Sequence, residues 1–289
     1  MFKAVDSPYL VPFDGSFKVS KAAARPPKDA ADKEAQKLRL KSLVEEMAEL
    51  QHQFYADDRY SLLLVFQAMD AAGKDSTIRA VLSGIDPAGC EVYSFKRPSD
   101  TDLDHDFLWR SGLCLPQRGR IGVFNRSYYE EVLVVRVHPE YLAGQKLPYT
   151  LPLKRVWQER YESIRDHEKH LARSGTVILK FWLNVSPEEQ RQRFLARLDE
   201  PEKNWKFESA DLKERERWKD YMKAYEIALN ETSTAHAPWY AIPADSKSYM
   251  RTTVADIVVR TLKSLHLRYP QLNAEEKSRF AEMRRYLRK

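Results

Sequence analysis

The segment between Gln67 and Thr77 combines the residue types that bind phosphate. It reads Gln-Ala-Met-Asp-Ala-Ala-Gly-Lys-Asp-Ser-Thr and follows the apolar run Leu62 to Phe66. A loop of small residues that leads from a buried strand into a helix offers inward-pointing backbone N–H groups and a helix N-terminus. Lys74 adds one ammonium group within reach. These features predict a phosphate-binding loop.

This loop departs from the phosphate-loop pattern G-x-x-x-x-G-K-[ST] at two positions. Ala68 replaces the first glycine, and Asp75 replaces the Ser or Thr that binds Mg²⁺. The alternative is a tight turn in which Gly73 supplies a positive φ and Asp75 or Ser76 caps the helix. Phosphate binding is favoured because Asp70 and Asp75 would place two carboxylates beside the phosphates, which suits a bound Mg²⁺.

A second apolar run, at 121–124, also ends in polar residues: Asn125, Arg126 and, after Ser-Tyr-Tyr, Glu130. Ligands bind at the carboxyl ends of parallel strands, so these residues are expected beside the phosphate loop. Arg126 is suited to neutralise charge on a transferring phosphoryl group. The alternative is that Arg126 only forms a structural ion pair at the end of the strand. Asn125 stands where this strand of a phosphate-loop kinase usually carries Asp, so the charge that holds a metal could come from Glu130 or Asp70.

Paired basic residues end a third predicted strand. Lys96 and Arg97 follow the run 91–95, and Arg110 lies on the predicted helix beyond. Such a group suits an acceptor phosphate, and a solvated loop is the alternative.

A helix that begins at Pro187 carries further cations. Arg193 and Arg197 are four residues apart and share one helix face, while Lys203 and Lys206 lie in the segment that follows. Cations on one movable face can close over phosphates and exclude water, as the lids of nucleotide kinases do. Acidic residues are interleaved with them, so a solvated helix with internal ion pairs is the alternative.

The elements around these motifs alternate between strand and helix. Five apolar runs predict strands at 60–66, 91–95, 120–124, 177–183 and 239–242, and helical spacing of apolar residues predicts helices at 33–58, 76–83, 102–113, 153–173, 187–198, 210–231 and 254–267. This order predicts right-handed βαβ units and an α/β fold of three layers, α/β/α, around a mainly parallel five-stranded sheet.

Composition and charge limit the organisation of the chain. With 289 residues, 43% hydrophobic and 31% charged, it is an ordinary globular protein rather than a disordered, collagenous or disulfide-framed one. Residues 1–32 are expected to form an arm on the body or on a neighbouring subunit, and 33–289 one domain with a helical lid at about 187–208. A basic helix at 273–289 ends the chain, and its last 25 residues supply +4 of the net charge of +6.

The two cysteines, Cys90 and Cys114, lack metal-ligand spacing, which favours buried thiols in a reducing cytoplasm. The longest aliphatic-aromatic run, Leu62 to Phe66, is far too short to span a bilayer, so no membrane is expected. The tryptophans do not cluster with Arg or Lys as they do in single-strand stacking platforms, and no nucleic acid partner is expected.

Taken in order, the motifs resemble those of the polyphosphate kinase 2 family, phosphate-loop kinases related in fold to thymidylate kinase. The resemblance covers roughly 33–267 and rests on the segments 69–75, 94–99, 124–130, 193–197 and 237–247. It implies transfer, in either direction, of the terminal phosphoryl between inorganic polyphosphate and a nucleotide such as AMP or ADP, with adenine or guanine as the base.

The resemblance also implies the chemistry and the site. Transfer would be in-line without a covalent enzyme intermediate, with Mg²⁺, for which Mn²⁺ substitutes, in a homo-oligomer of two or four chains. Asp70, Lys74 and Arg126 would be catalytic, with Asp70, and Glu130 less directly, at the metal. The phosphates would meet Ala71, Ala72, Gly73, Asp75, Ser76, Lys96, Arg97, Arg110, Asn125, Glu130, Arg193, Arg197, Lys203 and Lys206.

Acceptor choice and two other functions remain open at this point. Asn125 with Tyr128-Tyr129-Glu130 resembles the subgroup that phosphorylates both nucleoside mono- and diphosphates, rather than the diphosphate-preferring subgroup with Asp there. The phosphate loop and lid alone also suit an ATP-dependent nucleotide or small-molecule kinase. The basic tail would suit a polyanion-binding protein without catalysis.

Overall fold

A five-stranded sheet forms the centre of the molecule, and all of its paired strands run parallel. The computed structural model describes residues 2–148 and 152–288, without the side chain of Lys206. The strands are β1 (Ser61–Gln67), β2 (Cys90–Ser94), β3 (Ile121–Asn125), β4 (Thr176–Asn184) and β5 (Trp239–Pro243), in the spatial order β2-β3-β1-β4-β5. All five predicted strands are confirmed to within one or two residues at each end.

Helices cover both faces of the sheet. They are α1 (Lys33–Asp57), α2 (Lys74–Val81), α3 (Asp100–Leu103), α4 (Trp109–Gly112), α5 (Val134–Val137), α6 (Leu153–Arg173), α7 (Pro187–Asp199), α8 (Ser209–Glu216), α9 (Trp218–Thr232), α10 (Lys247–Ser264) and α11 (Ala274–Leu287). One layer contains α1, α2 and α10, and the other contains α5, α6 and α9. Because helices bury both faces, β1 is buried at every residue and reads as a continuous apolar run rather than an alternating one.

Three helix predictions were wrong in their bounds. The region 102–113 forms two short helices, because the Asp106 carboxylate accepts from the Leu108 N–H and starts a new turn. The region 210–231 is divided between α8 and α9 at Arg217. The last helix of the domain begins at Lys247 rather than at 254, because Ser246 caps it by accepting from the Tyr249 N–H.

A buried charge pair lies between the sheet and the outer helices. The Lys180 ammonium on β4 donates to Glu168 Oε2 on α6 (2.6 Å), to the Tyr129 hydroxyl (2.9 Å) and to the Thr232 carbonyl (2.8 Å). The hydroxyls of Tyr128 and Tyr129 donate to Glu168 Oε1 at 2.9 and 2.8 Å. Burial lowers the pKa of Lys180 to about 8, although Glu168 opposes this shift. The network therefore fastens the segment after β3 to α6 and α9.

The N-terminal segment of this chain lies against the outer edge of β5. Leu10 forms an antiparallel bridge with Tyr240, the Val11 N–H donates to the Trp239 carbonyl, and the Ala241 N–H donates to the Tyr9 carbonyl. This pairing satisfies backbone groups that an open edge strand would expose. At the other end of the chain, the described residues of α11 are exposed along its whole length.

Cys90 and Cys114 are free thiols that are partly buried, and burial raises the pKa of both, that of Cys90 to about 11. Across the described ranges, no helix combines the length and the apolar character needed to cross a membrane.

Replacement of one partner of the buried pair should cost far more stability than replacement of both. In Lys180→Met the Glu168 carboxylate stays buried without its countercharge, and we expect the free energy of unfolding to fall by about 3 to 5 kcal/mol. The double variant Lys180→Met/Glu168→Gln retains an acceptor for both tyrosine hydroxyls without a buried charge. Urea unfolding of the three proteins measures the difference, and equal losses in the single and double variants would contradict this account.

Candidate active site

The loop between β1 and α2 has the backbone shape of an anion-binding turn. Ala71 and Gly73 have φ values of +59° and +103°, in the left-handed region. Gly73 is the N-cap of α2, and no side chain caps this helix, since the Ser76 hydroxyl donates to the Gly73 carbonyl instead. The turn with a positive φ at Gly73 is therefore confirmed, but the cap by Asp75 or Ser76 is absent. The first-turn N–H groups are left for an anion.

Packing around position 73 adds to the preference for glycine that its positive φ creates. A Cβ there would lie 3.3 Å from Met250 Cε and 3.7 Å from an Nη atom of Arg193, in addition to the strain of its φ. The loop is therefore closely packed on its outer side by α7 and α10.

Lys74 is buried at the start of α2, and its ammonium donates to the Ala68 carbonyl at 3.0 Å. Burial lowers the pKa of this ammonium, and the charge of Arg126 lowers it further, whereas Asp70 and Glu130 oppose the shift. The Lys74 ammonium therefore lies across the loop and beside three charged groups, in a position suited to bind a phosphate.

Arg126 joins the two carboxylates that the sequence proposes for the metal. Its Nη2 donates to Asp70 Oδ1 at 2.8 Å, and its Nη1 lies 3.5 Å from Glu130 Oε2. These negative charges, Glu130 first, raise the pKa of the guanidinium despite its desolvation. Arg126 has a φ of +64°, and its N–H donates to the Phe66 carbonyl of β1. The carboxyl ends of β1 and β3 thus bring the three charged groups together, partly open to solvent.

Asn125 contacts the loop from the adjacent strand. Its side-chain amide donates to Asp75 Oδ1 at 2.6 Å and to the Ser94 hydroxyl at 3.4 Å. A carboxylate at position 125 would face Asp75 instead of donating to it, so the amide and the aspartate of the loop suit each other.

The donors near the loop suit Mg²⁺ that is shared with phosphates rather than enclosed by protein. Within 2–148 and 152–288, no three His, Cys, Asp or Glu side chains converge as a metal site. Asp70 and Glu130 are separated by one guanidinium, with Asp75 close by. Mg²⁺ is usually bound by one or two carboxylates together with waters and substrate phosphates, so this oxygen-only set fits it.

Arg193 has a different position from the one expected for a lid cation. Its guanidinium is nearly buried and donates to the carbonyls of Ala71, Ala72, Ala244 and Asp245 at 2.7 to 3.2 Å and to Glu189 Oε1 at 2.7 Å. It holds the outer side of the phosphate loop to the segment after β5 instead of facing an open phosphate site. Carbonyls that are held outward leave the N–H groups of the turn free to point inward.

The other predicted basic residues are spread around the loop. Lys96 and Arg97 are exposed beyond β2, and Arg110 Nη1 donates to the Lys96 carbonyl at 2.8 Å. On the lid side, Arg197 pairs with Asp211 at 3.1 Å, and Lys203 pairs with Glu200. Lys206 ends a 3₁₀ helix, Pro201–Lys206, and its side chain lies outside the described residues.

Sequence reasoning missed three residues beside Asp70. Gln190 on α7 donates to the Asp70 carbonyl at 2.9 Å. Tyr225 on α9 is buried, and burial followed by the charges of Glu130 and Asp70 raises the pKa of its hydroxyl. Burial and Asp70 likewise raise the pKa of Asp211 on α8. None of these residues lies in a phosphate-binding motif. For α8 and α9 the only sequence signal was the apolar spacing that predicts a helix at 210–231.

Comparison with known proteins decides the family. The sequence model described as "Polyphosphate kinase 2 (PPK2)" matches residues 30–270. The chain belongs to the polyphosphate kinase 2 family. Residues 33–267, where the motifs resembled this family, lie within that match, and the expected fold class is confirmed.

Two relatives and one solved structure define the similarity. The chain is 55% identical over 251 residues to the ADP-polyphosphate phosphotransferase of Rhodopseudomonas palustris, which covers 86% of this chain and 87% of the relative. It is 48% identical over 225 residues to the AMP/ADP-polyphosphate phosphotransferase of Meiothermus ruber, with coverage of 78% and 80%. The crystal structure of polyphosphate kinase 2 from Arthrobacter aurescens TC1 matches with a TM-score of 0.83 and 35% identity, over 97% of this chain and 99% of that one.

Loss of the Arg193 guanidinium should loosen the phosphate loop of this kinase. In Arg193→Met the loop carbonyls lose a charged donor, and we expect the free energy of unfolding to fall by about 2 to 3 kcal/mol. Arg191→Met is the matched control, because Arg191 lies on the same helix and, within the described part of the chain, pairs only with the exposed Glu188. Urea unfolding measures both variants, and an equal, small loss in each would show that the Arg193 contacts contribute little.

Proposed function

We propose that this protein transfers the terminal phosphoryl group of inorganic polyphosphate to AMP and to ADP. The observation that carries the proposal is the Asp70–Arg126–Glu130 group beside the phosphate loop in a chain of the polyphosphate kinase 2 family. The names of the two relatives support the donor, and they differ in whether AMP is included among the acceptors.

The residues present suit an in-line transfer by positioning and charge neutralisation. The N–H groups at the start of α2 and the ammonium of Lys74 would hold the donor phosphates, and Arg126 would neutralise charge as the phosphoryl group passes between oxygens. Asp70 Oδ1 lies 2.8 Å from Nη2 of Arg126. This contact would keep the guanidinium oriented toward the reacting phosphoryl group. No side chain needs to form a covalent bond with phosphorus in this scheme.

Membership of a kinase family indicates a divalent metal in general terms. We propose Mg²⁺, with Mn²⁺ as a substitute, held through Asp70 and Glu130, where it would screen charge on the transferring phosphates. The partial exposure of Asp70 and Glu130 leaves both carboxylates accessible from the solvent side of the loop.

We place the acceptor nucleotide on the side of β2 and β3. Lys96, Arg97 and Arg110 lie beyond β2 on that side, and Asn125 at the end of β3 directs its amide toward the loop. A mono- or diphosphate at these residues would present its terminal oxygen to the phosphoryl group in the loop.

We also propose that the protein resides in the cytoplasm and assembles from two or four chains. The two free, partly buried thiols suit a reducing compartment. Size-exclusion chromatography with light scattering would give the number of chains.

Product formation with polyphosphate as the only phosphoryl donor tests the proposal. We expect ATP to form from ADP, and ADP and ATP to form from AMP, in the presence of Mg²⁺ and long-chain polyphosphate. Turnover only when ATP replaces polyphosphate as the donor would show instead an ATP-dependent kinase. Product from ADP but never from AMP would overturn the assignment of both acceptors.

The Asp70→Asn variant should lose nearly all turnover and remain folded. The amide cannot share the positive charge of Arg126 or bind Mg²⁺ strongly, so we expect kcat to fall by about 100-fold or more. Asp166→Asn, at an exposed carboxylate on α6, is the matched control. Turnover of Asp70→Asn at the wild-type rate, with the same thermal stability, would exclude the assigned role.

Replacement of the Asn125 amide by a carboxylate should change the choice of acceptor. Asn125→Asp would put two like charges within the present 2.6 Å contact with Asp75 and displace one of them. We expect the ratio of kcat/KM for AMP to that for ADP to fall about tenfold, toward the diphosphate preference that the aspartate subgroup implies. A ratio that stays the same, with both rates reduced, would show that position 125 does not select the acceptor.

A further inference from the structure

Three consecutive carbonyl groups of the phosphate loop accept hydrogen bonds from one turn of α7. Gln190 Nε2 donates to the Asp70 carbonyl at 2.9 Å. Arg193, three residues later on the same side of the helix, donates to the carbonyls of Ala71 at 3.1 Å and Ala72 at 2.7 Å. The outer side of the loop is therefore fixed to α7 from Asp70 to Ala72.

The hydrogen bond from Gln190 sets the direction of one peptide group of the loop. The carbonyl and the N–H of a trans peptide point in opposite directions. Because the Asp70 carbonyl faces α7, the N–H of Ala71 faces the other side of the loop. Within residues 2–148 and 152–288 no protein acceptor contacts this N–H, whereas the N–H of Ala72 donates to the Met69 carbonyl at 3.3 Å. The Ala71 N–H is thus a donor that a phosphate in the loop can use.

The amide of Gln190 has one orientation that satisfies its neighbours. The side chain is buried, and Nη1 of Arg215 on α8 donates to Gln190 Oε1 at 2.6 Å. A guanidinium only donates, so the amide oxygen must face Arg215 and the NH₂ group must face the Asp70 carbonyl. Without Arg215, a reversed amide would place its oxygen against that carbonyl oxygen. Arg215 therefore selects the orientation in which Gln190 can hold the loop.

Arg215 reaches Gln190 only while α8 lies against α7. Its guanidinium also donates to the carbonyl of Pro187, in the first turn of α7, at 2.9 Å. A second contact between the two helices is the ion pair of Arg197 with Asp211 at 3.1 Å. Since α8 directly follows the lid predicted at about 187–208, the geometry of the phosphate loop depends on the helix that ends this lid.

We propose that Gln190 and Arg215 are positioning residues for phosphoryl transfer and that both act through the Asp70 carbonyl. Arg215 orients the amide of Gln190, the amide holds the carbonyl, and the peptide then directs the Ala71 N–H at the phosphate. The same hydrogen bond fixes the backbone from which the Asp70 carboxylate reaches Arg126. The inference rests on the proposed function and extends it to two side chains that lie outside the phosphate-binding motifs.

Four single variants test the two hydrogen bonds separately. Gln190→Leu removes both, whereas Gln190→Glu keeps an acceptor for Arg215 and places a carboxylate oxygen against the Asp70 carbonyl. Arg215→Met removes the donor that orients the amide, and Arg215→Lys returns a cationic donor to the same position. Gln192→Leu and Lys213→Met are the matched controls, at exposed residues of α7 and α8.

We expect kcat with polyphosphate and ADP to fall about 30-fold in Gln190→Leu and in Gln190→Glu. An oriented N–H contributes most when charge develops on the transferring group, so KM for either substrate should change by less than about threefold. Arg215→Met should lower kcat about tenfold, and Arg215→Lys should recover most of that loss. Both controls should match the wild type, and thermal unfolding shows that each variant is folded at the assay temperature.

The double variant Gln190→Leu/Arg215→Met tests whether the two residues act in one chain of contacts. If Arg215 acts only through Gln190, the double variant should be no slower than Gln190→Leu alone. If Gln190→Leu is too unstable to assay, the kcat of Gln190→Glu and the recovery from Arg215→Met to Arg215→Lys still test each hydrogen bond.

Three results would overturn the inference. Losses in kcat that multiply in the double variant would show that Arg215 has a separate effect on the reaction. A rise in KM at unchanged kcat would make Gln190 a residue for substrate binding alone. Wild-type kinetics in both Gln190 variants, with or without a lower thermal stability, would leave it a structural role only. Failure of the proposed function would be different, because the unmodified protein would then form no product from polyphosphate with any acceptor.

Discussion

The contact of the Arg126 guanidinium with Asp70 and Glu130 is the interaction on which the site depends. It requires β1 and β3 to be neighbours, because Asp70 follows one strand and Arg126 the other. It also requires a left-handed backbone at Arg126, which costs a non-glycine residue free energy. Without the guanidinium between them, the two carboxylates would repel each other. The neighbouring strands and the left-handed backbone at Arg126 therefore keep the three charged groups in contact.

Two sets of contacts outside this group maintain its geometry from opposite sides. Behind it, the Lys180–Glu168 pair holds the hydroxyls of Tyr128 and Tyr129, which lie between Arg126 and Glu130 in the chain. On its outer side, Arg193 holds the loop carbonyls of Ala71 and Ala72. Both sets contain charged side chains that are nearly buried. Removal of one partner therefore leaves the other without a hydrogen bond at a place that water cannot reach. Rigidity at the reacting centre therefore originates in side chains that do not touch it.

Local pattern predicted the strands and the phosphate loop because both depend on residues close in sequence. The apolar run at β1 and the order Asp70, Gly73, Lys74 mark a strand that leads through a tight turn into a helix. The position of Arg193 could not be predicted, since its partners lie at Ala71 and at Ala244, far apart in the chain. The proximity of Tyr225 and Asp211 to Asp70 could not be predicted either, because it arises only from the packing of α8 and α9. The break near Asp106 was missed because a side-chain turn there competes with helical spacing.

The pairing of the N-terminal segment with β5 has a consequence for biosynthesis. The Ser233 hydroxyl that binds the Val11 carbonyl is 222 positions later in the chain. At about 5 to 20 residues per second, the ribosome needs roughly 10 to 50 seconds to make that stretch. Throughout this interval the first residues have no strand to pair with, and β5 is also the last strand to complete the sheet. Closure of this edge is therefore a late event in synthesis.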